Sequence, residues 1–185
     1  MVRRSGAKPG DRVVVTGTIG DAALGLDILK GGAAAALDDD GGARAMLIGR
    51  YRVPQPRNAL AKAVRDHAHA AIDVSDGLAG DLAKLCGASG VSAVIDAPSI
   101  PLSAATAALL ARGTVGIETI VSGGDDYEIL CAIPEDSFEA FVQAAGQAGV
   151  AVSSVGVIVA GSSVPRFLDG EGREIALPRL SYSHF

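Results

Sequence analysis

Apolar positions along this chain fall into short runs whose period switches between two and nearly four. Arg12-Val13-Val14-Val15-Thr16-Gly17, entered from Gly10-Asp11, reads as a turn and then a strand. Residues 21–29 place Leu24 and Ile28 four apart and close on Gly31-Gly32, which predicts a helix. Further helices are predicted over 43–51 and 58–70, the second with Leu60 and Val64 in register. The loop between them carries Pro54-Gln55-Pro56-Arg57. A strand over 71–74, a helix over 77–88 and a strand over 91–96 follow. After Pro98 and Pro101 the pattern predicts a helix over 103–112, strands over 116–121 and 128–133, a helix over 134–146 and a strand over 150–159. Residues 166–168 and 173–177 flank Asp169-Gly170-Glu171-Gly172, a hairpin signal. Strands and helices mix without strict β–α–β alternation, so the expected fold is an α/β sandwich on a mixed sheet.

Two acidic corners interrupt this pattern. In Asp73-Val74-Ser75-Asp76-Gly77-Leu78, followed by Asp81-Leu82, an apolar strand ends in two carboxylates around a serine and then enters a helix. Oxygen ligands beside the outward-pointing N–H groups of a helix start suit hydrated magnesium and the phosphates it carries. Asp73 and Asp76 are candidate metal ligands, and Ser75 offers its hydroxyl or backbone N–H to a phosphate. Helix capping by Ser75 or Asp76 would explain one polar residue but would leave Asp73 without a reason.

The second corner is Gly123-Gly124-Asp125-Asp126-Tyr127-Glu128. Its glycines permit close backbone approach, and Asp125 or Asp126 is placed to accept from a substrate N–H; an ordinary turn with exposed acids is the alternative. Strand alternation puts Tyr127, Ile129, Cys131 and Ile133 in one buried row and Glu128 on the other face. His67 and His69, two apart on one predicted helix, do not share a face as metal ligands would. Asp38-Asp39-Asp40 reads as a solvated turn.

Composition narrows the picture. The 185 residues suit one domain, and without tryptophan its core must be built from Ala, Val, Leu and Ile. A net charge of −5 argues against a nucleic-acid partner but allows phosphorylated ligands held through metal ions. Cys86 and Cys131 sit inside apolar runs, as buried thiols of a reducing compartment do. Charges or glycines interrupt every apolar stretch before it reaches membrane length, so a soluble, cytoplasmic protein is expected, with no membrane partner.

The wording of both corners resembles the thiamine-monophosphate kinase family. Ser5-Gly6-Ala7-Lys8-Pro9-Gly10-Asp11, Val15-Thr16-Gly17, Pro54-Gln55-Pro56-Arg57 and Tyr182-Ser183-His184-Phe185 match the same family in order, so the resemblance covers essentially the whole chain. It implies a three-layer α/β/α domain shared with the aminoimidazole-ribotide synthetase superfamily. It further implies ATP- and Mg2+-dependent phosphorylation of thiamine monophosphate to thiamine diphosphate. By motif, Asp73 and Asp76 resemble magnesium ligands, Ser75 an ATP contact, and Asp125 and Tyr182 contacts to the thiamine phosphate. Residues 1–185 then correspond to the C-terminal domain, with the family's N-terminal ATP-binding domain as the implied partner and little activity expected without it. A homodimer, a non-catalytic module binding a thiamine phosphate or a partner, and another ATP-dependent enzyme of the superfamily are the alternatives.

Overall fold

The computed structural model describes residues 2–38 and 41–181. Its frame is a six-stranded sheet of β1 (Arg12–Thr16), β2 (Ala70–Val74), β3 (Ser92–Asp96), β4 (Glu128–Ile133), β5 (Val152–Val159) and β6 (Arg166–Leu168), in the order β2-β4-β1-β5-β3-β6. Neighbours are antiparallel except β3 and β6, which run parallel, so the sheet is mixed as expected. In the central strand β1, Val13 and Val15 face one core and Val14 the other. A strand covered on both faces needs an unbroken apolar run, and Val13-Val14-Val15 provides it.

The larger core lies under α1 (Asp21–Leu29), α2 (Ala43–Arg52), α4 (Leu78–Ser89), α5 (Ala104–Ala111) and α6 (Ile117–Ser122), which contribute Leu24, Leu47, Leu82, Leu109 and Ile120. The opposite face is covered by α3 (Ala61–His67) and α7 (Phe138–Gln147), through Ala63, Phe141 and Ala145. Helices on both sides make the α/β/α sandwich. Cys86 and Cys131 are buried free thiols. Among the described residues no helix is long and apolar enough to cross a membrane.

Three local expectations fail. Helix α6, Ile117–Ser122, forms where a strand over 116–121 was expected; Ile120 and Val121 lie three and four residues after Ile117 and are wholly buried. The helix predicted over 58–70 is a 3₁₀ turn, Asn58–Leu60, followed by α3, which ends at His67. His69 therefore lies beyond the helix, with Nδ1 3.0 Å from the carboxylate oxygens of Asp11. The C-terminal turn forms, but its returning limb makes a single bridge, Leu168 to Glu174, while the other edge of β6 pairs regularly with β3. Asp38 is exposed and pairs with Arg112 at 2.8 Å; Asp39 and Asp40 lie outside the described residues.

Candidate functional site

Pairing of β2 with β4 brings the two acidic corners together, since Val74 stands opposite Glu128 at the end of the ladder. The ladder continues past both strands: Tyr127 N–H donates to Val74 O at 2.8 Å and Asp125 N–H to Ser75 O at 2.9 Å. Asp125 and Tyr127 hold left-handed backbone angles, φ 71° and 52°. Such angles cost a non-glycine residue about 1–2 kcal/mol, here offset by the two amides they aim at the first corner. No side chain fits between the loops. A Cβ on Gly124 would lie 2.6 Å from Ser75 O, and one on Gly77 (φ 107°) 2.8 Å from the Ser122 carbonyl carbon.

Side chains at this junction divide into two sets. Asp73 is exposed at the end of β2, and Asp76, whose side chain is 41% exposed, pairs with Lys84 of α4. The Tyr127 hydroxyl lies 3.4 Å from Asp125 Oδ1. Its pKa is raised, first by burial and then by the charges of Asp125, Asp73 and Asp76, so carboxylates from both corners act on one phenol.

The second set is buried and holds the frame. Asp81 Oδ2 accepts from the Ser75 N–H at 2.8 Å and the Asp76 N–H at 2.9 Å, while Oδ1 accepts from Lys84 Nζ at 2.8 Å. These are the N–H groups the sequence suggested for a phosphate; Asp81 takes them and leaves the Ser75 hydroxyl as the group open to a ligand. Asp126, expected as a possible acceptor from substrate, instead accepts from Gly20 N–H at 2.7 Å and Ala22 N–H at 3.2 Å and so caps α1. Burial pushes its carboxyl up to about 7 against the opposing pull of those two N–H groups.

Ile129, Cys131 and Ile133 face the smaller core and Glu128 lies on the other face, wholly buried beside Leu130 and Ala132, as expected; Tyr127 alone departs from its row and is exposed. Tyr127 lies in the left-handed turn ahead of β4, outside the strand. Glu128 accepts from Thr16 Oγ1 at 2.6 Å, Arg50 Nη2 at 2.7 Å, and Arg57 through Nε at 2.7 Å and Nη2 at 2.5 Å. Burial alone would raise its pKa, but Arg57, Thr16 and Arg50 together hold it below the usual carboxylate range. Arg57 of the Pro54-Gln55-Pro56-Arg57 loop is thus a strut for the second corner. Sequence reasoning missed Asp81, Lys84, Arg50 and Arg57 as parts of the junction. Only the Asp81–Lys84 spacing of three, one helical turn, gave a signal.

Two openings flank the acidic ridge. A groove of about 880 Å³ is lined by Pro54, Pro56, Ala61, Ile72, Asp73 and Tyr127. A cleft of about 120 Å³ is lined by Asp27, Lys30, Gly124, Asp125 and Arg179. Tyr182 lies outside the described residues. Among the described residues no group of three or more His, Cys, Asp or Glu is placed to hold a metal ion by itself. Magnesium needs none: it takes one or two carboxylates and completes its shell with waters and phosphate oxygens. Asp73 and Asp76, oxygen donors at a solvent-open corner, fit that demand.

Residues 8–168 match the family model described as AIR synthase related protein, C-terminal domain. The thiamine-monophosphate kinase of Caulobacter vibrioides is 42% identical, over 99% of this chain and 50% of its own. That of Escherichia coli K12 is 39% identical, over 98% of this chain and 54% of its own. Among solved structures, the thiamine-monophosphate kinase of Stenotrophomonas maltophilia K279a superposes with a TM-score of 0.79 at 32% identity, covering 94% of this chain and 54% of that one. AaThiL complexed with AMPPCP and TMP gives a TM-score of 0.79 at 28% identity, covering 100% of this chain and 54% of that one. The chain spans about half the length of the curated relatives it matches. With the mixed sheet, the two sewn corners and this match in agreement, the chain belongs to the family of AIR synthase related proteins, C-terminal domain.

Proposed function

We propose that this chain is the C-terminal domain of a thiamine-monophosphate kinase, a phosphotransferase that uses ATP and Mg2+ to convert thiamine monophosphate to thiamine diphosphate in the cytoplasm. The observation that carries the proposal is the junction of the corners: the β2–β4 ladder and the Tyr127-to-Val74 and Asp125-to-Ser75 amide bonds bring Asp73, Asp76 and Asp125 to one end of the sheet. Phosphoryl transfer depends on positioned phosphates and neutralised charge more than on a strong base.

In this assignment Asp73 and Asp76 hold magnesium, and the Ser75 hydroxyl contacts ATP. Asp125 and Tyr182 contact the thiamine phosphate. Bound magnesium supplies charge neutralisation for the phosphates. The chain's own share is to keep the donors in register, through Asp81 on the first corner and the Glu128–Arg57 pair on the second. The AMPPCP and TMP of the AaThiL complex support ATP and thiamine monophosphate as the co-substrates. Half-length coverage of the relatives supports an N-terminal ATP-binding domain as the partner.

The test is Mg2+-dependent formation of thiamine diphosphate from ATP and thiamine monophosphate. The chain is assayed alone and mixed with the N-terminal half of the Caulobacter vibrioides relative. Activity in the mixture that disappears with Asp73→Asn is the expected result. Turnover indifferent to Asp73→Asn, or silence when the same two halves of the Caulobacter protein reconstitute, would overturn the assignment.

A further inference from the structure

Lys84 is a feature of the acidic junction that the assignment above leaves unused. Its ammonium bridges two carboxylates that differ in kind. Asp81 Oδ1, at 2.8 Å, belongs to a buried residue whose other oxygen is committed to the Ser75 and Asp76 N–H groups. Asp76 Oδ2, the second acceptor, belongs to a side chain 41% exposed and open to exchange. Lys84 follows Asp81 by one turn of α4, which tethers the ammonium to the corner through its buried partner. An isolated surface ion pair would need no explanation. This ammonium, however, sits on a carboxylate assigned to the metal, where Asp73, Asp76 and Asp125 leave an excess of negative charge.

We infer that Lys84 is a built-in counter-cation that competes with the divalent ion for Asp76. Metal binding at this corner is then an exchange: Asp76 leaves the ammonium for the metal, and Lys84 remains on Asp81. Lys84 is in this sense a positioning residue. It keeps the carboxylates in place when no metal is bound and sets how strongly the corner takes one. The inference rests on the assignment of Asp76 as a metal ligand and concerns a residue which that assignment does not use.

The test is Mn2+ binding to the purified chain, followed by loss of the free-ion electron paramagnetic resonance signal. Lys84→Met and Lys84→Gln, which remove the competitor, are expected to bind Mn2+ about three- to tenfold more tightly than the parent, the scale of one partly exposed charge interaction. Lys84→Arg keeps the charge and is expected to stay within about twofold of the parent. In an Asp76→Asn background the Lys84→Met gain should vanish. Urea unfolding of each variant establishes that comparisons are made on folded protein. Asp76-dependent Mn2+ binding that is unchanged or weaker in both neutral variants would overturn the role of Lys84 alone. Absence of Asp76-dependent binding in parent and variants would overturn it together with the metal assignment.

Discussion

The two acidic corners share a vocabulary and use it differently. At the first, the exposed carboxylates Asp73 and Asp76 stand outward while one buried acid, Asp81, ties down the backbone beneath them. At the second, the buried acids Asp126 and Glu128 are consumed by the fold, one capping α1 and the other pinning two arginines, and Asp125 is left toward the cleft. Their neighbours in the fold sort them. In Asp125-Asp126-Tyr127-Glu128, every second residue is wholly buried. A run of acids is therefore not one functional unit. Burial and hydrogen-bond partners separate the side chains that can meet a ligand from those that hold them in place.

That division can be broken from the frame side first. Glu128→Ala leaves Arg50 and Arg57 facing each other without their shared carboxylate. Removing one partner of a buried ion pair costs about 3–5 kcal/mol, so urea unfolding should show the largest loss here. Gly124→Ala forces a methyl against Ser75 O and pries the corners apart. We expect a loss of about 1–3 kcal/mol, the usual cost of overpacking, with metal binding weakened beyond what unfolding explains.

Asp126→Asn separates cap from charge. The Asp126 carboxyl titrates at about 7 in the fold and near 4 in an unfolded chain, so the fold favours its protonated form. Its contribution is full below about pH 4 and is lost as pH rises to about 7. Asparagine is neutral throughout and still accepts a backbone N–H. The variant should therefore gain stability relative to the parent as pH rises across that window, read from urea midpoints at a series of pH values. Asp73→Asn should have the smallest effect on the fold, within about 0.5 kcal/mol, because the side chain is exposed.

The sequence carried the outline of this arrangement and not its wiring. The strand ending at Val74, the helix after Gly77 and the acidic turn before β4 are local features with local signals, and each formed where expected. The mixed sheet followed from the absence of strict β–α–β alternation. Helix α6 was misjudged because its β-branched residues read as a strand, while burial of Ile120 and Val121 on one face selected the helix. The struts were not legible at all. Arg57 reaches Glu128 across 71 positions, and Asp126 reaches Gly20 across 106; no periodicity encodes such pairs. Asp125 and Asp126 are indistinguishable as neighbours in a sequence, and only the position of α1 decides which one is consumed.

The most direct test of the central claim, that the joined corners set a cation on Asp73 and Asp76 beside Asp125, is Mn2+-induced broadening of amide NMR signals in the isotope-labelled chain. We expect broadening centred on residues 73–76 and 125–127 together, abolished by the Asp73→Asn, Asp76→Asn double variant. Broadening confined to one corner, centred elsewhere on the surface, or indifferent to those substitutions would contradict it.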